Sequence, residues 1–428
     1  MALFKNTTIF QNSGFKTTKS IAALFSVDII ALIAGILFSI VTARILGESA
    51  LGAFSFSMAV AILTRIVAEA GYDITIPRTI SIQPGESISL FITAQVLKNS
   101  LWLVIAPVSF IITAITQDLQ TISCTGLMLI WVVAKLYNST CLALFRGIGH
   151  LLRGAKIESC ASGITYFFAT AAILFFKNLS LAVAVITLGE FLRMTWFKKA
   201  LSGILRNILP ENSPCFPSYF SMWNIRTAFK SNLREQFRLG AINIMSTAQS
   251  RMGTFMLGFV GTSASVGEYS AAMRALMAMR ILPGSVMNVL LPEFSRLGFK
   301  RELSLKMLLK NCSVAAAVGI AISFALMLTA PWLIKWTFGF ENAVIILQIL
   351  AWTFVFVLNN HIFEAYLLSI RCERQVGLAL LASTLLIAAG IALCFPQYRT
   401  VSAAWATLGG EILLSVYYLV IILLKRKN

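Results

Sequence analysis

Long apolar stretches recur along the whole chain, and they constrain its fold more than any other feature of the sequence. A helix needs roughly 18 or more apolar residues to cross a bilayer, and these stretches reach that length. The charged fraction is only 12%, against about 25% in a typical soluble domain. The sequence therefore predicts an all-α integral membrane protein. The twelve predicted spans are residues 20–43, 51–72, 88–115, 121–145, 155–176, 179–197, 236–260, 265–291, 308–330, 342–368, 376–395 and 402–424.

Lys and Arg residues fall mainly on one side of the predicted spans. If the N-terminus is cytoplasmic, 25 of the 35 lie in cytoplasmic segments or at the cytoplasmic ends of spans, four in external loops and six deeper within spans. Positively charged loops stay on the cytoplasmic side of a membrane, so both termini are predicted to be cytoplasmic. The net charge of +18 then reflects orientation and contact with anionic membrane lipids, and we expect no nucleic-acid partner.

A sequence motif that begins near residue 46 recurs about half a chain later. At an offset of 215 residues, six of the 26 positions from 52 to 77 are identical to their counterparts. Each half has six predicted spans, so both halves enter the membrane from the same side and form a parallel repeat about an axis along the membrane normal. The identities pair Gly52 with Gly267, Ser55 with Ser270, Met58 with Met273, Arg65 with Arg280, Ile66 with Ile281 and Pro77 with Pro292.

The predicted organisation is two bundles joined by one long cytoplasmic segment. We predict a six-helix bundle at residues 1–197, a basic linker at 198–235 and a second six-helix bundle at 236–428. The linker interleaves aromatic with basic side chains, for example Trp223 with Arg226, which favours an amphipathic helix on the inner leaflet. Docking of a soluble partner is the alternative interpretation of this composition.

Six cationic side chains lie within the predicted spans, away from their cytoplasmic ends. Each costs about 2.5–3.5 kcal/mol at a helix centre if it faces lipid, so they should face the bundle interior or a wet cavity. The central acids number four, which leaves surplus positive charge suited to an anionic passenger. A closed set of ion pairs is the alternative, and Arg65 has Glu69 four residues on. The cations are Arg65, Lys98, Lys135, Arg251, Arg274 and Arg280, and the acids are Asp28, Glu69, Glu364 and Glu411.

Span 8 should bend beside one of these cations. Pro283 and Gly284 stand one helical turn after Arg280, and proline both removes a backbone hydrogen bond and clashes with the preceding turn. Irregular backbone at membrane depth is tolerated where it lines a cavity. We therefore predict a hinge at Pro283 and Gly284, with a kink that has no functional role as the alternative.

Span 10 holds a histidine and a carboxylate at a spacing that puts them on one helical face. These are His361 and Glu364, while Glu411 stands within span 12. Such groups can bind and release a proton, so these three residues and Asp28 are candidates for ion coupling. Each could instead neutralise one of the arginines.

Cysteine spacing and loop length argue against other classes of protein. The seven cysteines form no C-x-x-C pair and no metal-ligand cluster is visible, so we expect neither a metal nor a cofactor. The predicted external loops are short and leave no room for a catalytic domain. A membrane polymerase or glycosyltransferase is therefore the least favoured of the alternative functions.

Two segments resemble the sequence pattern of a known family. Residues 43–81 read ARILGESALGAFSFSMAVAILTRIVAEAGYDITIPRTIS, and residues 280–297 read RILPGSVMNVLLPEFSRL. Both resemble bacterial polysaccharide-lipid flippases of the Wzx type, the O-antigen flippases of the multidrug/oligosaccharidyl-lipid/polysaccharide exporter superfamily. The span count and loop plan extend this resemblance over nearly the whole chain, although Glu48 replaces the proline that usually follows Leu-Gly. The matching residues are Arg44, Leu46, Gly47, Gly52, Phe54, Gly71, Asp73, Pro292 and Ser295.

The resemblance implies a V of two six-helix bundles around a cationic cleft lined mainly by spans 1, 2, 7 and 8. It implies alternating access in the bacterial cytoplasmic (inner) membrane and a polyprenyl-diphosphate-linked oligosaccharide, such as an O-antigen repeat unit, as cargo. Association with polysaccharide polymerase machinery is implied as well.

On this interpretation the diphosphate binds Arg65, Arg274 and Arg280, with Arg251 and Lys98 as further candidates. A multidrug exporter of the same architecture is the alternative function. Such exporters generally use acids to bind cationic drugs, and spare arginines argue against one here.

The predicted topology can be tested with fusions. A reporter that is active only in the cytoplasm should be active at residue 215 and at the C-terminus, and silent near Ala50 or Glu341, because the basic segments stay inside. Activity at Glu341 would show that the number of spans in the second half is wrong.

Overall fold

The structure, a computed structural model, is helical throughout the residues that it describes. Those residues are 14–82, 87–208, 222–277, 279, 281–299 and 305–427. They form fourteen helices and no strand, which confirms the all-α prediction. The helices are α1 (Gly14–Glu69), α2 (Tyr72–Ile82), α3 (Ser87–Thr116), α4 (Leu119–Gly147), α5 (Leu151–Phe176), α6 (Leu179–Ile208), α7 (Met222–Val260), α8 (Ser263–Met277), α9 (Ile281–Phe299), α10 (Leu305–Thr337), α11 (Asn342–Ala351), α12 (Thr353–Ser369), α13 (Glu373–Tyr398) and α14 (Val401–Lys427).

The length and hydropathy of the helices are those of a membrane protein. In the described part of the chain, nine helices are long and apolar enough to cross a bilayer, or ten if the bent pair α8 and α9 is one span. The prediction of twelve counted two spans in α1, on either side of Gly47, whose φ of 83° and ψ of −178° interrupt the helix. It also counted α7, in which Asn243, Gln249 and Arg251 lower the hydropathy.

The turns distinguish two ends of the bundle. We name one the turn end; it contains the interruption at Gly47 and residues 117–118, 261–262, 338–341 and 399–400. We name the other the basic end; it contains the α4–α5 turn at residues 148–150, the α12–α13 turn at 370–372 and the end of α14. The predicted topology places the basic end in the cytoplasm.

Apolar side chains pack into buried clusters that follow the two halves of the chain. One cluster joins α1, α4, α5 and α6 around Trp131, and another joins α2, α3, α4 and α6 around Phe145. A third joins α9, α10, α12, α13 and α14 around Phe294. The cluster around Tyr269 joins α1 to α7, α8, α10, α11, α13 and α14, so it connects the first half to the second.

At the turn end, α1 and α8 cross with their backbones in contact. A Cβ atom on Gly52 would lie 1.7 Å from the carbonyl oxygen of Ser263, and one on Gly267 would lie 2.0 Å from the carbonyl oxygen of Glu48. Gly52 and Gly267 are equivalent in the repeat, and each contacts the residue that stands four positions before the other, Ser263 and Glu48 respectively. The contact is therefore reciprocal, as expected for two copies around a two-fold axis. Only glycine permits so close an approach of two backbones.

A second contact between the halves joins α1 to the end of α10. Arg44 donates hydrogen bonds from Nε to the carbonyl oxygen of Thr337 at 2.9 Å, and from Nη2 to those of Lys335 at 2.6 Å and Trp336 at 2.7 Å. The last carbonyls of a helix lack partners within the helix, and the helix dipole favours a cation at that end. Arg44 thus caps α10 from the other half of the protein.

The halves also touch at the basic end. A Cβ atom on Gly240 of α7 would lie 2.7 Å from the backbone nitrogen of Gly71, in the α1–α2 turn. Asn243 donates from Nδ2 to Asp73 Oδ2 at 3.0 Å. In the described residues, the two halves are therefore in contact at both ends of the bundle.

Helices α6 and α7 extend into the segment predicted as the linker. Helix α6 continues to Ile208 and α7 begins at Met222. Residues 209–221 lie outside the described part of the chain, as do the side chains of Trp223 and Arg226. The domain boundaries and the amphipathic helix on the inner leaflet stay predictions.

Gly267→Ala should weaken the contact between α1 and α8. The added Cβ would overlap the Glu48 carbonyl, so the helices would have to separate, at a cost of about 1–3 kcal/mol. We expect a lower midpoint of thermal unfolding in detergent, measured by fluorescence-detected size-exclusion chromatography. Gly409→Ala is the matched control, because nothing lies within 4 Å of a Cβ at that position. An unchanged midpoint for Gly267→Ala would contradict the close contact.

Candidate functional site

A cavity of about 120 Å³ lies between the two halves. Its walls come from α1 and α5 on one side and from α7 and α8 on the other. Small hydroxyl side chains and methionines line it, together with an aromatic hydroxyl and two guanidinium groups. The lining includes Ser55, Met58 and Tyr166 from the first half and Arg251, Ser270, Met273 and Arg274 from the second. We name this space the central cavity.

Arg274 contacts α1 across the central cavity. Its Nη2 donates to Ser55 Oγ at 3.3 Å, and its guanidinium carbon lies 5.4 Å from the centre of the Phe54 ring, within range of a cation–π interaction. Its Nε is buried without a hydrogen-bond partner, and so is Ser270 Oγ. The ion pairs in the described part of the chain do not include Arg274. Unpartnered buried polar atoms are costly, so this arrangement favours a ligand that can satisfy them.

Arg251 of α7 lines the same cavity, so two of the predicted anion-binding residues come together. Two guanidinium groups around one enclosed space favour an anion between them, because each can form charge-assisted and bidentate hydrogen bonds with it. An anionic passenger stays a prediction, and the two guanidinium groups of the central cavity would suit one.

Other residues of this wall were not assigned to the site from the sequence. Ser55 and Ser270 are repeat equivalents, and so are Met58 and Met273, so the cavity lies where the two copies meet. The identities of the repeat were therefore a usable signal for these four residues. Tyr166 belongs to α5 and gave no signal in the sequence.

Arg65 pairs with its own helix and does not line the central cavity. Its Nη1 lies 2.8 Å from Glu69 Oε1, which is the pairing that the spacing of four residues had left open as the alternative. The predicted grouping of Arg65 with Arg274 is not found in the described residues, because Arg274 lines the central cavity and Arg65 does not.

Lys98 is fully buried within the first half, away from the central cavity. It donates from Nζ to Thr140 Oγ1 at 3.0 Å and to Ser139 Oγ at 3.4 Å, both on α4. In this structure Lys98 is a packed interior residue and has no contact with the space that holds Arg251.

Lys135 belongs to a closed ion network that joins α4, α5 and α6. Its Nζ lies 2.6 Å from Glu158 Oε1 and 3.6 Å from Glu190 Oε1. Arg193 Nη1 lies 3.0 Å from Glu158 Oε1 and 3.0 Å from Glu190 Oε2. The count of central acids that predicted a surplus of positive charge had not included Glu158 or Glu190. Much of the charge in the first half is therefore balanced internally.

Two predicted site residues lie outside the described part of the chain, namely Arg280 and the side chain of Asp28. Span 8 is broken near Arg280: α8 ends at Met277, α9 begins at Ile281, and their axes differ by 49°. The break precedes Pro283, because proline disturbs the helical turn before it. A hinge function for Pro283 and Gly284 stays a prediction.

A second cavity, of about 230 Å³, lies within the second half. It brings together His361 and Glu364 of α12, Glu411 of α14 and Pro283 of α9, which the sequence analysis had singled out separately. No Lys or Arg is among its described lining residues. Ser250 of α7 lines both cavities, so the two are neighbours. We name this space the acidic cavity.

Amide side chains orient Glu411 in the acidic cavity. Asn360 donates from Nδ2 to Glu411 Oε2 at 2.8 Å, and Gln249 Nε2 lies 3.5 Å from Glu411 Oε1. Gln249 Nε2 also donates to Ser383 Oγ at 2.9 Å. Amide donors fix the position of a carboxylate but do not neutralise its charge, so this carboxylate and Glu364 can bind a proton or a small cation.

Charge is thus segregated in the described part of the chain. The first half contains closed ion pairs, the central cavity holds guanidinium groups, and the acidic cavity holds carboxylates. Within the described residues, no three His, Cys, Asp or Glu side chains form a group that could hold a metal. The arrangement is suited to binding and moving charged ligands between packed helices.

The fold is that of a known class of membrane transporters. A lipid II flippase, MurJ, in an inward closed conformation aligns with 93% of this chain and 87% of its own, with a TM-score of 0.74 and 13% identity. An inward-facing MATE-family multidrug resistance transporter of the MOP superfamily aligns with 95% of this chain and 99% of its own, with a TM-score of 0.67 and 13% identity. Identities this low show a shared fold alone.

The family of the chain follows from its sequence. A family model described as "Polysaccharide biosynthesis protein" matches residues 17–298, so the chain belongs to that family. A relative described as "Putative O-antigen transporter", from Escherichia coli (strain K12), is 26% identical over 202 residues, which are 46% of this chain and 47% of that protein. The match thus spans under half of that relative's length. The family resemblance drawn from the sequence is confirmed, and the chain is a multi-pass member of the polysaccharide biosynthesis protein family.

Proposed function

We propose that this protein moves a polyprenyl-diphosphate-linked oligosaccharide across the bacterial cytoplasmic membrane, with both of its termini in the cytoplasm. The observation that supports this most directly is the central cavity, where Arg251 and Arg274 line a space between the two halves of a transporter fold. The sugar part of the cargo, an O-antigen or similar repeat unit, is argued from the family and from its relative in Escherichia coli.

Arg274 is the residue that we propose as the main contact of the diphosphate. Its buried Nε has no partner, its guanidinium contacts Ser55 and Phe54, and it takes part in none of the described ion pairs. A diphosphate oxygen could accept from this nitrogen, which would remove an unsatisfied donor and gain a charge-assisted hydrogen bond. Arg280 and Arg65 were predicted to share this role; the proposal for Arg280 rests on the sequence repeat.

Transport would require the halves to separate. The central cavity of about 120 Å³ is smaller than sites for drug-sized ligands, which run from about 300 to 1,000 Å³. An oligosaccharide would therefore enter only after one end of the bundle opens. The contacts of Gly240 with Gly71 at the basic end and of Gly52 with Ser263 at the turn end are the places that would part in turn. This is the alternating access that the fold supports, and hand-over to polysaccharide polymerase machinery would follow at the turn end.

The acidic cavity is the proposed site of ion coupling. Glu364 and Glu411 share an enclosed space with His361 and no Lys or Arg among the described lining. Two carboxylates held close together in low polarity favour uptake of a proton or cation. The location of this cavity beside the central one would let its occupancy affect the packing of α7. Asp28, the fourth predicted candidate, lies in α1 and stays part of this proposal from sequence alone.

A second candidate function is export of cationic drugs. The acidic cavity favours it, because carboxylates can bind cationic compounds, and the MATE-like fold is compatible with it. The two arginines between the halves argue against it, since they would repel such compounds from the central cavity.

Arg274→Ala should abolish transport of the lipid-linked oligosaccharide. The substitution removes the proposed diphosphate contact, while Arg274→Lys keeps the charge but loses bidentate geometry and should retain partial activity. The measurement is uptake of a labelled polyprenyl-diphosphate oligosaccharide by proteoliposomes, together with complementation of a flippase-null strain. At about 1.5–3 kcal/mol for a charge-assisted hydrogen bond, the rate should fall at least tenfold.

Arg296→Ala is the control for this experiment, because Arg296 is an exposed arginine of the same half. Membrane abundance of each variant is measured alongside transport. A stable Arg274→Ala protein with full activity would remove the anion-binding role. Retained export of a cationic dye in the same vesicles, without lipid transport by the native protein, would favour the drug exporter.

Glu411→Gln should abolish the dependence of transport on a pH gradient while the protein still inserts. The amide keeps the shape of the side chain and its contact with Asn360, but it cannot bind a proton in the same range. His361→Ala is predicted to have the same effect if the histidine shares the proton. Transport by vesicles with and without an imposed gradient measures this. Unchanged gradient dependence in both variants would assign these residues to structure.

A further inference from the structure

A third cavity, of about 460 Å³, opens at the turn end of the second half. It is built from four parts of the chain, namely the α7–α8 turn, α8, the start of α11 and the α13–α14 turn. Its volume lies within the range of about 300–1,000 Å³ that is typical of small-molecule sites. None of the residues of the central or acidic cavities belongs to it. We name it the outer cavity.

A buried carboxylate lies on the inner side of the outer cavity. Glu268 is only 8% exposed, and its two oxygens have fixed partners. Oε1 accepts from Asn342 Nδ2 at 2.7 Å, and Oε2 accepts from Thr400 Oγ1 at 2.9 Å. A carboxylate offers about four acceptor sites, so Glu268 can still accept hydrogen bonds from a ligand. Because its partners come from different elements, the position of this acceptor is set by the fold.

The rim of the outer cavity is exposed and chemically mixed. Gln397, Tyr398 and Arg399 supply an amide, an aromatic ring and a guanidinium group. Thr262 and Ser265 add hydroxyl groups on the opposite side. The cavity thus offers donors, acceptors and an apolar face within one space.

The balance of charge restricts the kind of ligand. Glu268 and Arg399 are the charged residues of the described lining, one of each sign. An anion would be repelled by the carboxylate and a cation by the guanidinium, while an apolar ligand would displace water from Gln397 and Arg399 without replacing its hydrogen bonds. A neutral ligand rich in hydroxyl groups can donate to Glu268, accept from Gln397 or Arg399, and place its ring against Tyr398.

The repeat indicates that this carboxylate is not part of the packing that both halves share. Gly267 and Tyr269 on either side of Glu268 have the counterparts Gly52 and Phe54, whereas the counterpart of Glu268 itself is Ala53. The crossing of α1 and α8 therefore does not need an acid at this position.

We propose that the outer cavity binds carbohydrate, namely the sugar part of the transported molecule at the end of the protein where it would be released. The proposal rests on the proposed function for the origin of the sugar, whereas the preference for a neutral polyhydroxylated ligand rests on the lining of the cavity. Glu268 and Asn342 form the polar floor, and Tyr398 with Gln397 forms the rim that contacts the ring.

The test measures binding of free glycan to the purified full-length protein. The probe is the oligosaccharide released by mild acid from the lipid-linked intermediates of the source cells, and saturation-transfer difference NMR detects its binding. We expect Tyr398→Ala and Gln397→Ala each to weaken binding about fivefold to tenfold, the loss of one ring contact or hydrogen bond. Glu268→Gln, which keeps the shape of the floor but replaces an acceptor by a donor, should weaken it as well.

Gln120→Ala is the matched control, because Gln120 is an exposed amide at the same end of the first half. Arg274→Ala should also keep glycan binding, since the probe carries no diphosphate. Absence of glycan binding, binding lost in Arg274→Ala but kept in the rim variants, or equal competition by inorganic phosphate would each overturn the proposal. Glycan binding that depends on the rim, in a protein without lipid transport, would support this site and count against the proposed function.

Discussion

The cost of holding charge inside a bilayer governs the arrangement of this protein. A charged side chain at membrane depth must find a partner or line a polar space. The first half meets that requirement within itself, since Lys135 and Arg193 are balanced by Glu158 and Glu190 across three helices. In the second half, charged side chains line the central and acidic cavities instead. In the described residues, the ion pairs therefore lie in the first half, and the charged residues that line the central and acidic cavities lie in the second.

Helix α7 lines both the central and the acidic cavity and also contacts the first half. Ser250 faces both the central and the acidic cavity, and the same helix carries Arg251 and Gln249, one towards each space. A shift of this helix at one cavity would thus also change the lining of the other. At its beginning, Gly240 touches the α1–α2 turn of the opposite half. The helix therefore joins both charged cavities to the contact at the basic end.

The sequence predicted those features that depend on a single helix. Apolar length predicted the spans, the spacing of four residues predicted the pairing of Arg65 with Glu69 as one alternative, and the single face of His361 and Glu364 agrees with their shared cavity. These features depend on the period of a helix and on nothing outside it.

Contacts between helices were beyond such reasoning. The network of Lys135 with Glu158, the position of Arg274 over Phe54 and the floor at Glu268 depend on how neighbouring helices are rotated about their axes. Residue spacing along one chain segment does not specify that rotation. For the same reason, the predicted approach of Arg65 to Arg274 around one diphosphate is not found in the described residues, while its approach to the repeat counterpart Arg280 stays a prediction. The repeat would have allowed one prediction across helices, because the equivalent residues Ser55 and Ser270 line the same cavity.

The crossing at Gly52 and Gly267 has a consequence for the history of the gene. After a duplication, two copies are free to diverge, except where each presses on the other. A side chain added at either glycine would meet the backbone of the opposite copy, so neither position can drift alone. Ala53 and Glu268, one residue further on, carry no such mutual restraint and have diverged. Among the identities shared by the two halves, that of Gly52 and Gly267 is thus the one that the contact between the halves accounts for.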